Sequence, residues 1–405
     1  MNLPFLTSEI PGIAGIIRSR PEDFFVEELP LYEPCGQGQH VYCEIEKTGL
    51  TTFEAVDRIA RALGISARDI GYAGIKDARA VARQTFSISG IDEQAVAAVR
   101  IAGITVRRVA RHGNKLRLGH LRGNRFVIKL RGVVPADAAR AQQVLQIVGR
   151  RGMPNYFGPQ RFGRRQDNHL LGAALIRGDA EDLLRLLLGN PDSSLDDAQT
   201  MGARKAFERG DLRQAMHLWP RRCGMERRVL HRLLKTGNPE KAVAAIDERL
   251  RRLWVSALQS EAFNEVVSRR IDSLDRLMAG DLAFKHDNGA CFRVVDAAAE
   301  QSRCDAFEIS PTGPLVGYRM TLPEGQPLEI ERSVLAAAGI DPADFRDAGR
   351  LKVKGARRPL RVRPEETSVA TGTDDAGEYL QLSFTLPAGA FATSLLREIT
   401  KRDVT

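Results

Sequence analysis

Apolar and polar positions change period several times along this chain, and each change marks an element. Phe25 to Leu29 and His40 to Lys47 read as strands with one buried face. From Thr51 or Thr52 the spacing becomes helical. Phe53, Val56, Ile59, Ala60 and Leu63 share one face, either threonine can cap the start, and Gly64 stops the run. Arg83 to Ser89 alternates again. Ile104–Val109, Lys115–Leu118 and Arg125–Arg131 are further strand candidates, and Ala136–Val148 returns to a helical period.

After Gly152 the pattern is mainly helical: Leu170–Leu188, Arg227–Lys235, Lys241–Leu253 and Val255–Leu274, with strand-like pieces between Leu282 and Val295. Near the end, Leu360–Arg363 and Tyr379–Leu386 read as strands and Ala392–Thr400 as a last helix. That tail is too short to bury a core of its own, so it must pack on something already built. The cheapest arrangement is an α+β core formed by residues 1–150 and 346–405, interrupted by an inserted, mainly helical domain at 151–345.

Composition adds a partner class. The chain has 405 residues, 43% of them hydrophobic, enough for two cored domains at roughly 100–200 residues each. The formal net charge is +9, which favours a polyanion, nucleic acid first. The surplus is clustered. From Met201 to Lys235 ten cations (Arg204, Lys205, Arg209, Arg213, Arg221, Arg222, Arg227, Arg228, Arg232, Lys235) face only Glu208, Asp211 and Glu226. This cluster is a candidate for phosphate contact, or else a solvated helical face. No apolar run is long enough to span a bilayer, and Met1–Gly15 lacks the pattern of a secretory signal. The cysteines (Cys35, Cys43, Cys223, Cys291, Cys304) are scattered, with no C-x-x-C, so neither zinc nor a disulfide framework is expected and a reducing cytoplasm fits.

The candidate chemistry lies between Gly74 and Gln84. Asp77 sits among Lys76, Arg79 and Arg83, just past a glycine and before a strand. A carboxylate so surrounded stays ionised and is held in place, as a nucleophile or a charge-stabilising base requires. Arg79 is a candidate to pair with it, while Lys76 and Arg83 equally suit phosphate. The same residues also describe a turn aspartate in ordinary surface ion pairs.

Five segments, in order, resemble the TruD-type tRNA pseudouridine synthases: Pro21-Glu22-Asp23-Phe24-Phe25-Val26-Glu27-Glu28; Gly74 to Gln84; Lys115 to Phe126, including Gly123-Asn124-Arg125-Phe126; Pro154-Asn155-Tyr156-Phe157-Gly158-Pro159-Gln160-Arg161-Phe162-Gly163; and Leu386 to Ser394, including Phe391. The resemblance implies a pseudouridine-synthase core with a mixed, largely antiparallel sheet and a family-specific insertion. It implies an isomerase that turns uridine into pseudouridine, at position 13 of tRNA in bacterial members. It makes Asp77 the catalytic aspartate and puts Phe24, Asn124 and Phe391 in the uridine pocket. Arg18 falls where the family carries a basic residue, often Lys, near the aspartate. No cofactor is implied. The partner is tRNA; no membrane and no DNA are expected.

The chemistry agrees. The reaction breaks the N1–C1′ bond, turns the base and joins C5 to C1′, so nothing redox is needed, and no phosphate-cradling or dinucleotide glycine motif is present. A lone carboxylate beside the ribose either adds covalently or deprotonates the sugar toward a glycal. Glycosidases pair two carboxylates to activate water. Here water would trap the sugar, so one carboxylate in a dry aromatic pocket suits the task. Phe24 and Phe391 can stack on a flipped base, and Asn124 carries the donor and acceptor to read a uracil edge. Two other classes use the same features: an RNA-binding factor with no need of Asp77, and a nucleoside hydrolase that would release free uracil. Gln259 to Asn264 lies inside a long helix, with Phe263 expected in the core and Asn264 in a local polar contact.

Overall fold

The computed structural model describes residues 3–346 and 351–404. Two compact units divide the chain. One comprises Phe5–Met153 with Val362–Val404, the other mainly Pro154–Arg361. The units divide at 153/154 and 361/362, against the expected 150/151 and 345/346.

The first unit is built on a nine-stranded sheet. Its strands are β1 (Ile16–Ile17), β2 (Phe24–Pro30), β3 (His40–Thr48), β4 (Ile70–Tyr72), β5 (Val81–Ser89), β6 (Ile104–His112), β7 (Leu121–Arg131), β8 (Glu365–Asp374) and β9 (Gly377–Pro387). The spatial order is β8-β9-β7-β2-β5-β3-β6, with β1 on β7 and β4 on β5. The β2–β5 pair is parallel and every other pair is antiparallel, a mixed and largely antiparallel sheet. Its helices are α1 (Thr52–Leu63), α2 (Glu93–Ala98), α3 (Pro135–Arg151) and α4 (Ala392–Thr400).

Alternation along the strands gives one face two apolar clusters. Phe24, Val26, Phe126, Ile128, Leu382 and Phe384 pack with Val144, Leu145 and Val148 of α3 and Leu395, Leu396 and Ile399 of α4. Val41, Cys43, Ile45, Phe86 and Ile88 pack with Ala55, Val56 and Ile59 of α1. The tail strands β8 and β9 thus complete the first core, as a segment too short to stand alone must. In α1, Thr51 accepts from the Glu54 backbone and Glu54 returns the bond, a capping box worth about 1 kcal/mol. Gly64 closes the helix at φ 66°. Phe53 departs from expectation: it is exposed, edge-on to Tyr72, because the neighbouring Thr52 takes the inward position.

Lys115–Leu118 forms no strand. Leu116 donates its N–H to the Ser87 side chain instead of a ladder, and Leu118 is exposed. The polar strand β8 went unread because it lacks an apolar face; its side chains are mostly exposed or half-buried.

In the second unit the apolar run Leu170–Leu188 is two helices, Asn168–Arg177 and Ala180–Leu188. Gly178 breaks it at φ 70°, and Asp179 caps the second. The two runs between Lys241 and Leu274 divide elsewhere than expected. A short helix Pro239–Val243 ends first, and Asp247 caps one long helix, Glu248–Arg269. Phe263 of that helix is fully buried, as expected. Asn264 is not in a local contact: its side chain accepts from the Phe157 N–H and donates to the Phe157 carbonyl, at 2.8 and 3.0 Å, 107 residues away in sequence. A four-stranded antiparallel sheet (Leu282–Lys285, Cys291–Arg293, Ile309–Leu315, Ala356–Pro359) completes this unit. Among the described residues no helix is long and apolar enough to cross a membrane.

Candidate active site

Between the two apolar clusters the same sheet face turns polar. Strand β2 supplies Phe24, Val26 and Glu28 to it, two residues apart and so on one side of the pleat. Their partners in register on β7 are Ile128, Phe126 and Asn124. On β5 and β3 the matching positions are Ala82 and Gln84, opposite Lys47 and Ile45. The loop Gly74–Asp77 lies against this polar stretch.

Four main-chain groups of the loop are tied to side chains or backbone of the sheet or α1. The Gly74 carbonyl accepts from Gln84 Nε2 at 2.6 Å. The Lys76 N–H donates to Thr52 Oγ1 at 2.8 Å, and the Lys76 carbonyl accepts from the Thr52 N–H at 3.3 Å. Thr52 Oγ1 in turn donates to Gln84 Oε1 at 3.0 Å. Lys76 Nζ forms a buried ion pair with Glu28 at 2.7 Å, and Glu28 also accepts from Gln84. The Asp77 carbonyl accepts from Lys47 Nζ at 3.3 Å.

These ties leave the Asp77 side chain accessible, 57% exposed, and paired among the described residues with Arg18, whose Nη2 lies 3.4 Å from Oδ2. Arg18 follows β1 in the left-handed region, φ 60°, a conformation that costs a non-glycine residue roughly 1 kcal/mol and aims its side chain. Its guanidinium lies 4.2 Å from the centre of the Phe24 ring, so one side chain joins the carboxylate to the aromatic. Burial pushes the Arg18 guanidinium below its ordinary pKa, and the Asp77 charge pulls it back up.

The structure thus brings Asp77, Arg18 and Phe24 into one chain of contacts. Phe24 is buried and edge-on to Phe126, with ring centres 6.2 Å apart. Asn124, on β7, lies opposite Glu28 on β2 and Leu386 on β9. Its Oδ1 is buried and has no hydrogen-bond partner among the described residues. Gly123 beside it is required by close approach: a Cβ there would sit 2.3 Å from the Leu386 carbonyl oxygen. Phe391 ends the turn after β9 and opens α4; that turn is fastened near Asn124 by the Ala388 N–H donating to the Arg122 carbonyl.

Other expected cations lie elsewhere. Lys76 is spent on Glu28. Arg83 pairs with Glu27 and Glu46 on the opposite face of the sheet. Arg79 is exposed, and its charge lowers the pKa of Arg18. Sequence reasoning passed over Lys47, Thr52, Gln84 and Phe126. Two of these carried a readable signal: Lys47 continues the apolar stripe Val41, Cys43, Ile45 at strand period, and Phe126 follows Asn124 by two.

The chain matches the family model for tRNA pseudouridine synthase D (TruD) over residues 1–399. It is 48% identical over 399 residues to tRNA pseudouridine synthase D of Geobacter sulfurreducens, covering 98% of this chain and 97% of that one. The protein of the same name from Anaeromyxobacter sp. is 38% identical over 400 residues, covering 98% and 96%. Among solved structures, a putative tRNA pseudouridine synthase D from Methanosarcina mazei superposes with a TM-score of 0.87 at 27% identity, covering 100% of this chain and 99% of that one. The class is that of the pseudouridine synthases, isomerases of uridine in tRNA. Within it, the chain belongs to the TruD family.

Proposed function

We propose that this protein isomerises uridine to pseudouridine at position 13 of tRNA, in the cytoplasm, with Asp77 as the catalytic aspartate. The observation that carries the reading is the contact chain Asp77–Arg18–Phe24: a reachable carboxylate, held by a largely covered cation, beside an aromatic ring at the edge of an apolar cluster. Asp77 faces the ribose, Phe24 and Phe391 stack on the flipped base, and Asn124 reads it. Uracil presents an N3–H between two carbonyls, which suits a buried amide oxygen that has no partner of its own. Mapping pseudouridine in tRNA from cells with and without the gene, by carbodiimide adducts and primer extension, tests this. Loss of the signal at position 13 is expected. An unchanged signal overturns the reading, and release of free uracil in vitro points to a hydrolase.

The unit Pro154–Arg361 is read as the family's inserted domain, carrying phosphate contacts to the same tRNA. Not all of its clustered cations are available for that. Arg204 is buried on Asp196 and the Leu187 and Gly189 carbonyls, and Arg227 is bound to the Met216 and Trp219 carbonyls. By contrast Arg228, Arg232 and Lys235 stand exposed on the helix Gly224–Thr236, at i, i+4 and i+7, with His231 among them. Replacing these three by Glu is expected to raise KM for tRNA by about 10- to 100-fold with kcat within about twofold, and to reduce the salt slope of binding by about 3. Equal KM and salt slope would remove this face from the interface.

A further inference from the structure

Lys47 is a fully buried cation that the reaction as described does not use. It ends the stripe Val41, Cys43, Ile45 of β3, whose other members are apolar and buried. It makes no ion pair among the described residues. Its Nζ instead donates to two main-chain carbonyls, those of Leu50 and Asp77. Burying an ammonium on neutral acceptors is costly, so a residue kept there invites a reason.

The acceptors supply one. Leu50 precedes α1, whose Thr52 fixes the main chain of Lys76 on both its N–H and C=O. Asp77 is the next residue. Lys47 therefore joins the start of α1 to the main chain of Asp77, while Arg18 holds the carboxylate at the other end of that residue. Two cations grip one aspartate at different atoms. Neither contact leaves the Asp77 side chain free to swing with a loose loop.

We propose that Lys47 is a positioning residue for Asp77, clamping its carbonyl so that the carboxylate meets the ribose at a fixed distance. The inference rests on the isomerase reading above. The charge state matters to the clamp, because a hydrogen bond from an ionised donor is roughly twice as strong as one from a neutral amine. Burial is the main influence on Lys47 and, with repulsion from Lys76, lowers its pKa; Asp77, Glu28 and Glu54 oppose this, and the balance is a pKa of about 8. The clamp thus loses its charge above that pH. Stability moves the other way. An unfolded lysine binds its proton up to a higher pH than Lys47 does, so between the two values the unfolded chain holds more protons and folding gains as pH rises.

The test is the full-length protein on unmodified tRNA, with Lys47→Met and Thr52→Val compared with the wild type from pH 6.5 to 10. Lys47→Met is expected to lower kcat by about 10- to 100-fold, with tRNA Kd within about twofold, as misplacement of a reacting group by about 1 Å does. The wild-type kcat is expected to fall by about fivefold above pH 8 while its melting temperature rises relative to that of Lys47→Met, and the variant lacks that fall in rate. A merely structural lysine would make rate follow stability. Thr52→Val, nearly isosteric, is expected to lower kcat about tenfold with unchanged KM, and decides the matter if Lys47→Met does not fold. Wild-type kcat and an unchanged alkaline limb in Lys47→Met, or wild-type kcat in Thr52→Val, overturn the proposal. An inactive wild type would instead overturn the isomerase reading itself.

Discussion

Asp77→Asn is expected to stop pseudouridine formation, cutting the single-turnover rate by about 10⁴-fold or more, while the Kd for tRNA stays within about twofold. The amide is the same size as the carboxylate and the side chain is largely exposed, so the fold has no reason to change. Arg18 can still donate to the amide oxygen, so its place over Phe24 is kept. What is lost is the negative charge, and with it both routes the chemistry allows: attack on C1′ and removal of a sugar proton. Joining C5 to C1′ expels the hydrogen on C5. A tritium label at uridine C5 released to water therefore reads the reaction directly. Label release at the wild-type rate from Asp77→Asn would dismiss the carboxylate as the catalytic group, whereas no release from the wild type would favour the RNA-binding reading without catalysis.

How far the sequence revealed this site depends on the distance over which each residue acts. Asp77 was legible because its neighbours in the chain are cations. Yet the cation that meets it is Arg18, 59 residues away, and the nearest in sequence, Lys76, is turned to Glu28. Charge density along a chain says that an anion will be held; only the pairing of strands says by what. The sheet was legible where one face is apolar, as in β3, β5 and β7, and illegible in β8, which packs by its backbone. Periodicity found the helical runs but misplaced their breaks, because Gly178 and Asp247 act as punctuation inside stretches that stay apolar on either side. The clamp on the loop was hidden for another reason. It is made by polar residues (Lys47, Thr52, Gln84) lying at buried positions of otherwise ordinary elements, where an alternation reading expects hydrophobes and treats each exception as noise.

Arg131→Met is expected to give the largest loss of stability in the core unit. Arg131 Nε and Nη2 bond both oxygens of Asp23 at 2.8 and 2.6 Å, and Nη1 and Nη2 bond both oxygens of Asp374 at 2.9 Å. Asp23 has no exposed side-chain surface. Removing its arginine leaves a buried carboxylate with Arg20 alone, at 3.6 Å, at a cost on the order of 3 kcal/mol. For a unit of this size that lowers the melting temperature by about 10 °C. The sign of the pH dependence follows from the same contacts. Burial alone would raise the Asp23 pKa, but the Arg131 hydrogen bonds and charge outweigh it and hold the carboxyl below its ordinary value. Arg131 and Lys129 do the same to Asp374. Carboxyls lowered by folding contribute stability that is complete above their unfolded values, near ~4, and is lost as pH falls through the folded ones. The wild type should therefore exceed Arg131→Met by a constant margin at pH 6–8, and the margin should shrink below about pH 4. Asp23 is the residue before Phe24, so the variant is also expected to raise KM for tRNA as the start of β2 loosens. A margin that does not change with pH would mean that Arg131 acts through packing alone, and an unchanged melting temperature would mean that Arg20 suffices for Asp23.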